Sequence, residues 1–266
     1  MSGPGDFALI GPGRAGCTVA AGLIDAGWNL VGVAGRELDA DSTRAAAERW
    51  GVPAGTADEV VVGAALVVIA TPDRVIAEVA ASIAEVVEAS ALVIHLSGAV
   101  PLAALDEVVS RIGALHPLQT MPDAGAAQKI LRGAWCATAG DPQVEEIATT
   151  LGMRPFNLLD ADRARYHAAA SIAANHLVAL TAQIEATTDV PFEAFVPLMR
   201  TALDNVAAAG PSAALTGPVA RGDVDTVRRH LQALPAPERA AYVALARRAA
   251  VLAGRDPDAD FEGLLT

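Results

Sequence analysis

Three groups of residues in this chain have types and spacings that suit chemistry. The first is Gly11-Pro12-Gly13-Arg14-Ala15-Gly16, a G-x-G-x-x-G run directly after the apolar stretch Phe7–Ile10. In such a loop the first glycine permits a tight turn, the second lets backbone approach a pyrophosphate, and the third lets the following helix pack closely on the strand. Backbone N–H groups of the loop and of the helix start, around Arg14 and Ala15, then face the phosphates. Val33-Ala34-Gly35-Arg36 stands where an NAD site usually places a carboxylate for the ribose 2′-hydroxyl. A guanidinium at that place suits a 2′-phosphate, so the pair of features points to NADP(H).

The second group follows apolar runs read as strands: Thr71-Pro72-Asp73, Ser97-Gly98 and His116-Pro117-Leu118-Gln119-Thr120. Ligands of open parallel sheets sit beyond the carboxyl ends of the strands, so these three places line one rim. Thr71 and Pro72 belong there with the cofactor and Ser97 with the substrate. His116 reads equally as a proton donor or as a structural histidine beside a proline. His95, between Ile94 and Leu96, reads as a satisfied interior histidine, and Cys17 as a small packing residue.

The third group is His167, Ser171 and Asn175, spaced i, i+4, i+8 on one helix face among alanines. Exposed helix faces normally carry Lys, Glu and Arg, so isolated His, Ser and Asn suggest a ligand-facing row. At about 1.5 Å per residue it runs roughly 12 Å, enough for a nicotinamide ring and a small substrate. Histidine is a competent acid near neutral pH and an amide can only orient, which makes His167 the acid and Asn175 its helper, with Ser171 on the substrate. The Gly- and Pro-rich stretch 210–223 reads as a ligand-shaping loop in which Thr216 and Arg221 face a substrate carboxylate. Asp223 there reads as the cap of the next helix.

The elements that must hold these groups alternate in the first half of the chain. Strands are expected at Phe7–Ile10, Leu30–Ala34, Leu66–Ala70, Leu92–Leu96 and Trp135–Thr138, with short ones near Gly113–Leu115 and Arg154–Leu158. Helices are expected at Ala15–Ala26, Ser42–Trp50, Val75–Val87 and Pro142–Leu151. From about Asp160 the strand signals stop and Ala- and Leu-rich helical patterns take over. The fold class is therefore α/β: a doubly wound, mostly parallel Rossmann sheet in residues 1–159, then an all-α domain in 160–266. Of the 266 residues 53% are hydrophobic, and a net charge of −12 excludes a nucleic-acid partner. The longest apolar stretch, Val60–Ala70, is too short for a membrane span, and two cysteines with no signal peptide suggest the cytoplasm.

Taken with Ser97-Gly98-Ala99, Tyr166-His167-Ala168-Ala169-Ala170 and Ala214-Leu215-Thr216-Gly217-Pro218, these motifs make the chain resemble a known bacterial family. That family joins a Rossmann-like domain to a C-terminal domain of unknown function numbered 2520. It looks like a branch of the superfamily of 6-phosphogluconate, β-hydroxyacid, pyrroline-5-carboxylate and ketopantoate reductases, whose helical domain usually dimerises. The resemblance implies an NADPH-dependent reductase of a small 2-oxo acid, of the ketopantoate type, forming a homodimer through the helical domain. Ketopantoate reductases commonly carry a Lys-x-x-x-Asn-x-x-x-Asn row, and here His167, Ser171 and Asn175 stand in its places, so that only Asn175 matches. His116-Pro117 is similar to the His-Pro loop of prephenate dehydrogenases, which adds prephenate- or pyrroline-5-carboxylate-type chemistry as the alternative. A Rossmann domain can also bind NADP(H) as a sensor without turnover.

Replacing Arg36 with Asp is expected to weaken NADPH binding about 10- to 150-fold, the equivalent of a charge-assisted contact of about 1.5–3 kcal/mol. Fluorescence titration with NADPH and NADH checks this, and tighter NADH binding by the wild type would refute it.

Overall fold

The computed structural model describes residues 4–37, 40–121 and 127–266. Strands β1 (Asp6–Ile10), β2 (Asn29–Ala34), β3 (Ala54–Gly55), β4 (Leu66–Ile69), β5 (Leu92–His95), β6 (Arg111–Pro117), β7 (Trp135–Gly140) and β8 (Arg154–Asn157) form one sheet. Between them run α1 (Arg14–Asp25), α2 (Asp41–Trp50), α3 (Ala57–Val60), α4 (Ile76–Ile83), α5 (Ala127–Leu131) and α6 (Gln143–Thr150). The strand order is β3-β2-β1-β4-β5-β6-β7-β8. All pairs are parallel except β6 with β7. The chain leaves β1 toward β2 and later returns to β4 on the other side, which opens a crevice at the carboxyl ends of these two strands.

Alternation along each strand buries both faces of this sheet. Phe7 and Leu9 join α1, α2, α5 and α6 through Leu23, Ala46, Leu131 and Ile147. Ala8 and Ile10 join α3, α4 and a 3₁₀ turn through Val60, Ile76, Ile83 and Leu105. Strands covered on both sides read as continuous apolar runs, the pattern expected from sequence. The α/β fold class is borne out, and so are the expected strands, including the two short ones. β3 has only two residues and α3 one turn, too little periodicity to register in a sequence reading.

The chain divides into two compact units, Met1–Ile172 and Ala173–Thr266. The helical part begins with α7 (Arg163–Ser171), a π-helical turn at Ile172–His176 and α8 (Leu177–Thr187). It continues with α9 (Val196–Ala209), α10 (Pro211–Ala214), α11 (Pro218–Arg221), α12 (Val224–Ala233) and α13 (Arg239–Leu252). The second unit has its own small core of Val227, Ala246, Ala250, Phe261 and Leu265. Asp223 caps α12 as expected, its carboxylate accepting the Thr226 N–H at 3.0 Å. Neither α8 nor α9 buries any residue, and Val178, Leu198 and Leu203 are each more than 60% exposed. Among the described residues no helix is long and apolar enough to cross a membrane.

Candidate functional site

The crevice begins at the glycine loop. Gly11 has φ +91°, and a Cβ there would lie 2.7 Å from the backbone of Ala70 and Thr71. Only glycine lets β1 and β4 come this close before they part. A Cβ on Gly16 would meet the Gly11 carbonyl oxygen at 2.3 Å, whereas one on Gly13 would meet nothing within 4 Å. The first and third glycines are thus packed and the second faces open space, the division of labour that a bound pyrophosphate requires. Gly13 starts α1, which carries no acidic residue in its first turn, and Arg14 is exposed beside it.

Arg36 is exposed just beyond β2. Next to it, Gly35 leaves its side-chain space to Thr43, whose Oγ1 would lie 1.9 Å from a Cβ there. Among the described residues, that buried hydroxyl and the Thr71 hydroxyl after β4 have no hydrogen-bond partner. Thr43 sits in α2 against the residue that follows β2, and Thr71 follows β4, so both hydroxyls lie near the strand ends that flank the loop. The loop, Arg36, Thr71 and Pro72 therefore fit a dinucleotide cofactor.

One strand further on, the geometry changes from cradle to proton-bearing groups. Ser97 forms a turn, its Oγ accepting the N–H groups of Ala99 at 3.1 Å and Val100 at 3.0 Å. The turn holds Gly98 against the His116 ring, which occupies the space of the missing side chain: a Cβ there would come within 2.9 Å of both ring nitrogens. His95 pairs with Ala114 across β5 and β6, so His95, Ala114 and His116 share one face of the sheet. His116 Nδ1 is hydrogen-bonded to the Tyr166 hydroxyl at 2.8 Å, with the rings perpendicular at 5.5 Å. The exposed His167 ring stands 6.1 Å from that of His116.

At the start of α7 lies an ion pair between a buried arginine and an exposed carboxylate. Arg163 is 2% exposed, and its Nε donates to Asp160 Oδ1 at 2.6 Å. The other Asp160 oxygen accepts the Leu102 N–H at 2.9 Å. The charge environment follows from burial. His116 is held down to about 4, first by burial and then by His167 and Arg163, with Asp73 pulling the other way. His95 is also held at about 4, by burial and then Arg163, against Asp73 and Asp160. Burial pushes the Tyr166 hydroxyl up to about 12. Both histidines are accordingly neutral at neutral pH.

The structure thus brings His116, His167 and Ser97 together with the rim residues of the first unit. Ser171 is half-buried at the end of α7, and Asn175 lies in the π-helical turn beyond it. The expected continuous α-helical row is therefore interrupted after Ser171. Thr216 is exposed between α10 and α11, and Arg221 is exposed at the end of α11. The sequence reading of His95 as a satisfied interior histidine is corrected in part: Nδ1 accepts the Ser97 N–H at 3.2 Å, but among the described residues the buried Nε2 has no partner. It gave no role to Tyr166 or to the Asp160–Arg163 pair. The hint for the pair was an Asp and Arg three residues apart at a helix start.

A Rossmann-like domain model matches residues 6–122, and the model of a domain of unknown function (DUF2520) matches residues 135–249. These are the two domains that the resemblance named. A search among curated proteins finds no match. Among solved structures the chain is similar to a protein of Bacteroides fragilis described as an NADP oxidoreductase, at 26% identity and TM-score 0.80, over 93% of this chain and 98% of that one. It is also similar to a protein of Thermotoga maritima, at 23% identity and TM-score 0.75, over 94% and 99% of the two chains. Pyrroline carboxylate reductase of Plasmodium falciparum, with NADP bound, shares 13% identity at TM-score 0.59, over 95% and 98%. The last two likenesses are of fold.

The neutral histidines make stability depend on pH. Their folded values of about 4 lie below the ordinary 6.5, so the unfolded chain binds more protons within that window. Their contribution is complete above about pH 6.5 and is lost as pH falls toward 4, on the order of 3 kcal/mol for each histidine. Urea unfolding across the window checks this. Stability that stays flat down to about pH 4.5 would contradict the assignment of two neutral histidines, His95 buried and His116 half-buried.

Proposed function

We propose that the chain is an NAD(P)-dependent oxidoreductase of the cytoplasm that binds NADP(H) at its glycine loop and reduces a small 2-oxo acid, with 2-dehydropantoate (ketopantoate) as the substrate type. The observation that carries this reading is the grouping of His116, Tyr166 and His167 on the sheet face that ends at the same rim as the glycine loop. Bound NADPH supplies the hydride. The chain has to bind the acid, orient its carbonyl and provide a proton for the developing alkoxide.

A neutral imidazole at His116, tied to Tyr166, is suited to orientation and not to acid catalysis. His167 is exposed beside it and takes the role of proton donor. Ser97, at the Gly98 turn, and Ser171 belong to the substrate side, with Asn175 as orienting group and Thr216 and Arg221 for the carboxylate. A second reading is favoured by the same His116: half-buried, neutral and hydrogen-bonded, it is poised to accept a proton, as oxidation of a prephenate-type hydroxyl would need. The bare faces of α8 and α9 support a homodimer formed through the helical domain, since apolar patches of this extent mark association surfaces.

His167→Ala is expected to lower kcat with 2-oxo acids by about 10²- to 10⁴-fold while leaving NADPH affinity nearly unchanged, and Arg221→Ala to raise KM most. Following NADPH oxidation with a panel of 2-oxo acids and cyclic imines checks both. Near-normal turnover by His167→Ala with collapse of His116→Ala would move the chemistry to the second reading. Light scattering should give a dimer at micromolar concentration, and a monomer insensitive to dilution would refute that assembly.

A further inference from the structure

The Tyr166 hydroxyl is committed to one nitrogen of one ring. It lies 2.8 Å from His116 Nδ1, and the two rings stand at 89° with their centroids 5.5 Å apart. Both sides of this contact are held by neighbours. The Tyr166 ring also meets the Phe156 ring, at 5.8 Å. The His116 ring fills the space beside Gly98, where a Cβ would come within 2.9 Å of either nitrogen. Three residues before Tyr166, the start of α7 is tied to the turn after β5: Arg163 donates to Asp160, which also accepts the Leu102 N–H.

A neutral imidazole has one nitrogen that donates and one that accepts, and the hydrogen bond made by one nitrogen decides where the proton sits. His116 and Tyr166 have two ways to pair: phenol O–H to a bare Nδ1, or Nδ1–H to the phenol oxygen. A phenol O–H is a far stronger acid than a neutral imidazole N–H, and a bare imidazole nitrogen is a far stronger base than a phenol oxygen. The first pairing therefore joins the better donor to the better acceptor. His95, on the same sheet face, reaches the same end by another route: its Nδ1 accepts the backbone N–H of Ser97 at 3.2 Å, so its neutral ring carries the proton on Nε2. We infer that Tyr166 is a positioning residue that donates to His116 Nδ1 and so fixes the imidazole proton on Nε2, making His116 a hydrogen-bond donor to an acceptor oxygen of the ligand.

His116 is half-buried and not sealed, and with Nδ1 taken its Nε2 is the nitrogen left to a ligand. An Nε2–H can hold a carbonyl oxygen or the alkoxide that develops from it, but it cannot take a proton from a hydroxyl. The ligand's part in this inference rests on the proposed 2-oxo acid reading and deepens it. Tyr166 is what disposes His116 to orient a carbonyl and not to act as a base.

The position of the proton is measurable without turnover. The protonated and bare nitrogens of a neutral imidazole resonate far apart, so imidazole nitrogen shifts from NMR of the full-length protein at neutral pH, assigned with His116→Asn, report it. In the wild type the proton should sit on Nε2, with Nδ1 as the acceptor. Tyr166→Phe keeps the ring and removes the O–H, and the ratio of Nε2–H to Nδ1–H forms should fall about two- to tenfold, the worth of one hydrogen bond. A wild-type His116 that carries its proton on Nδ1, or on both nitrogens, overturns the inference. So does a folded Tyr166→Phe with the wild-type ratio. If Tyr166→Phe does not fold, 3-fluorotyrosine in place of the two tyrosines of the chain decides. Its more acidic hydroxyl should move the His116 Nδ1 resonance further toward that of a strongly hydrogen-bonded acceptor, and an unmoved Nδ1 overturns the inference. If the nitrogens behave as stated but no 2-oxo acid is reduced, the role of Tyr166 stands and the substrate reading falls. Reduction of 2-oxo acids by a protein whose His116 proton sits on Nδ1 has the opposite meaning.

Discussion

The His116 imidazole fills the space that any side chain at Gly98 would occupy, and its Nδ1 is held by the Tyr166 hydroxyl. That one arrangement joins the turn after β5, the end of β6 and the first helix beyond the sheet. Each partner is constrained in turn. Gly98 is set by the Ser97 turn, and Tyr166 packs its ring 5.8 Å from Phe156 of β8, so the last parallel strand is tied in as well. A histidine clamped in this way has one available orientation, and its neighbours have little freedom to solvate a charge on it. Neutrality at His116 is thus a packing property before it is an electrostatic one, consistent with burial as the larger cause of its low proton affinity.

Four buried polar atoms lack partners among the described residues: the hydroxyls of Thr43 and Thr71, His95 Nε2 and Arg163 Nη2. Buried polar groups are nearly always paired, so their distribution is informative. Thr43 lies against Gly35 after β2, Thr71 follows β4, His95 ends β5, and Arg163 faces the turn that follows β5 through Asp160. Thr71 and His95 sit at the carboxyl edge of the sheet itself, while Thr43 belongs to α2 and Arg163 to α7. The two hydroxyls flank the nucleotide cradle, and the two nitrogens belong to the histidine cluster. The two that belong to the sheet lie at the edge where ligands of such sheets bind.

What could be read from sequence divides along the range of the interactions concerned. The glycine loop, Arg36 and the strands needed only local patterns, because G-x-G-x-x-G after an apolar run has few other structural meanings. His116 was visible as a residue at a strand end, but its partner Tyr166 lies 50 residues away in an alanine-rich helix, beyond the reach of any local pattern. Arg163 was invisible for the opposite reason: an arginine near a helix start reads as solvated, and only the tertiary packing buries it. The row His167, Ser171, Asn175 assumed 3.6 residues per turn throughout, and no residue type announces the π-helical turn that begins at Ile172. The antiparallel entry of β7 escaped as well, since an apolar run carries no direction.

A chain with net charge −12 that must hold an anionic cofactor has to keep its own carboxylates away from the phosphates. The first turns of the helices show how it does so. Among the helices packed on the sheet, acidic residues stand in the first turn of α2, α3, α4 and α6, where they complement the helix dipole; α1, like α5, has none, and it begins with Arg14. A carboxylate there would have stabilised α1 by a few tenths to about 1 kcal/mol, as it does elsewhere. At α1 that stabilisation is forgone, and the N-terminal N–H groups beside Gly13 remain available to an anion. Local charge placement at this single turn therefore lets an acidic protein present a phosphate site without a basic surface.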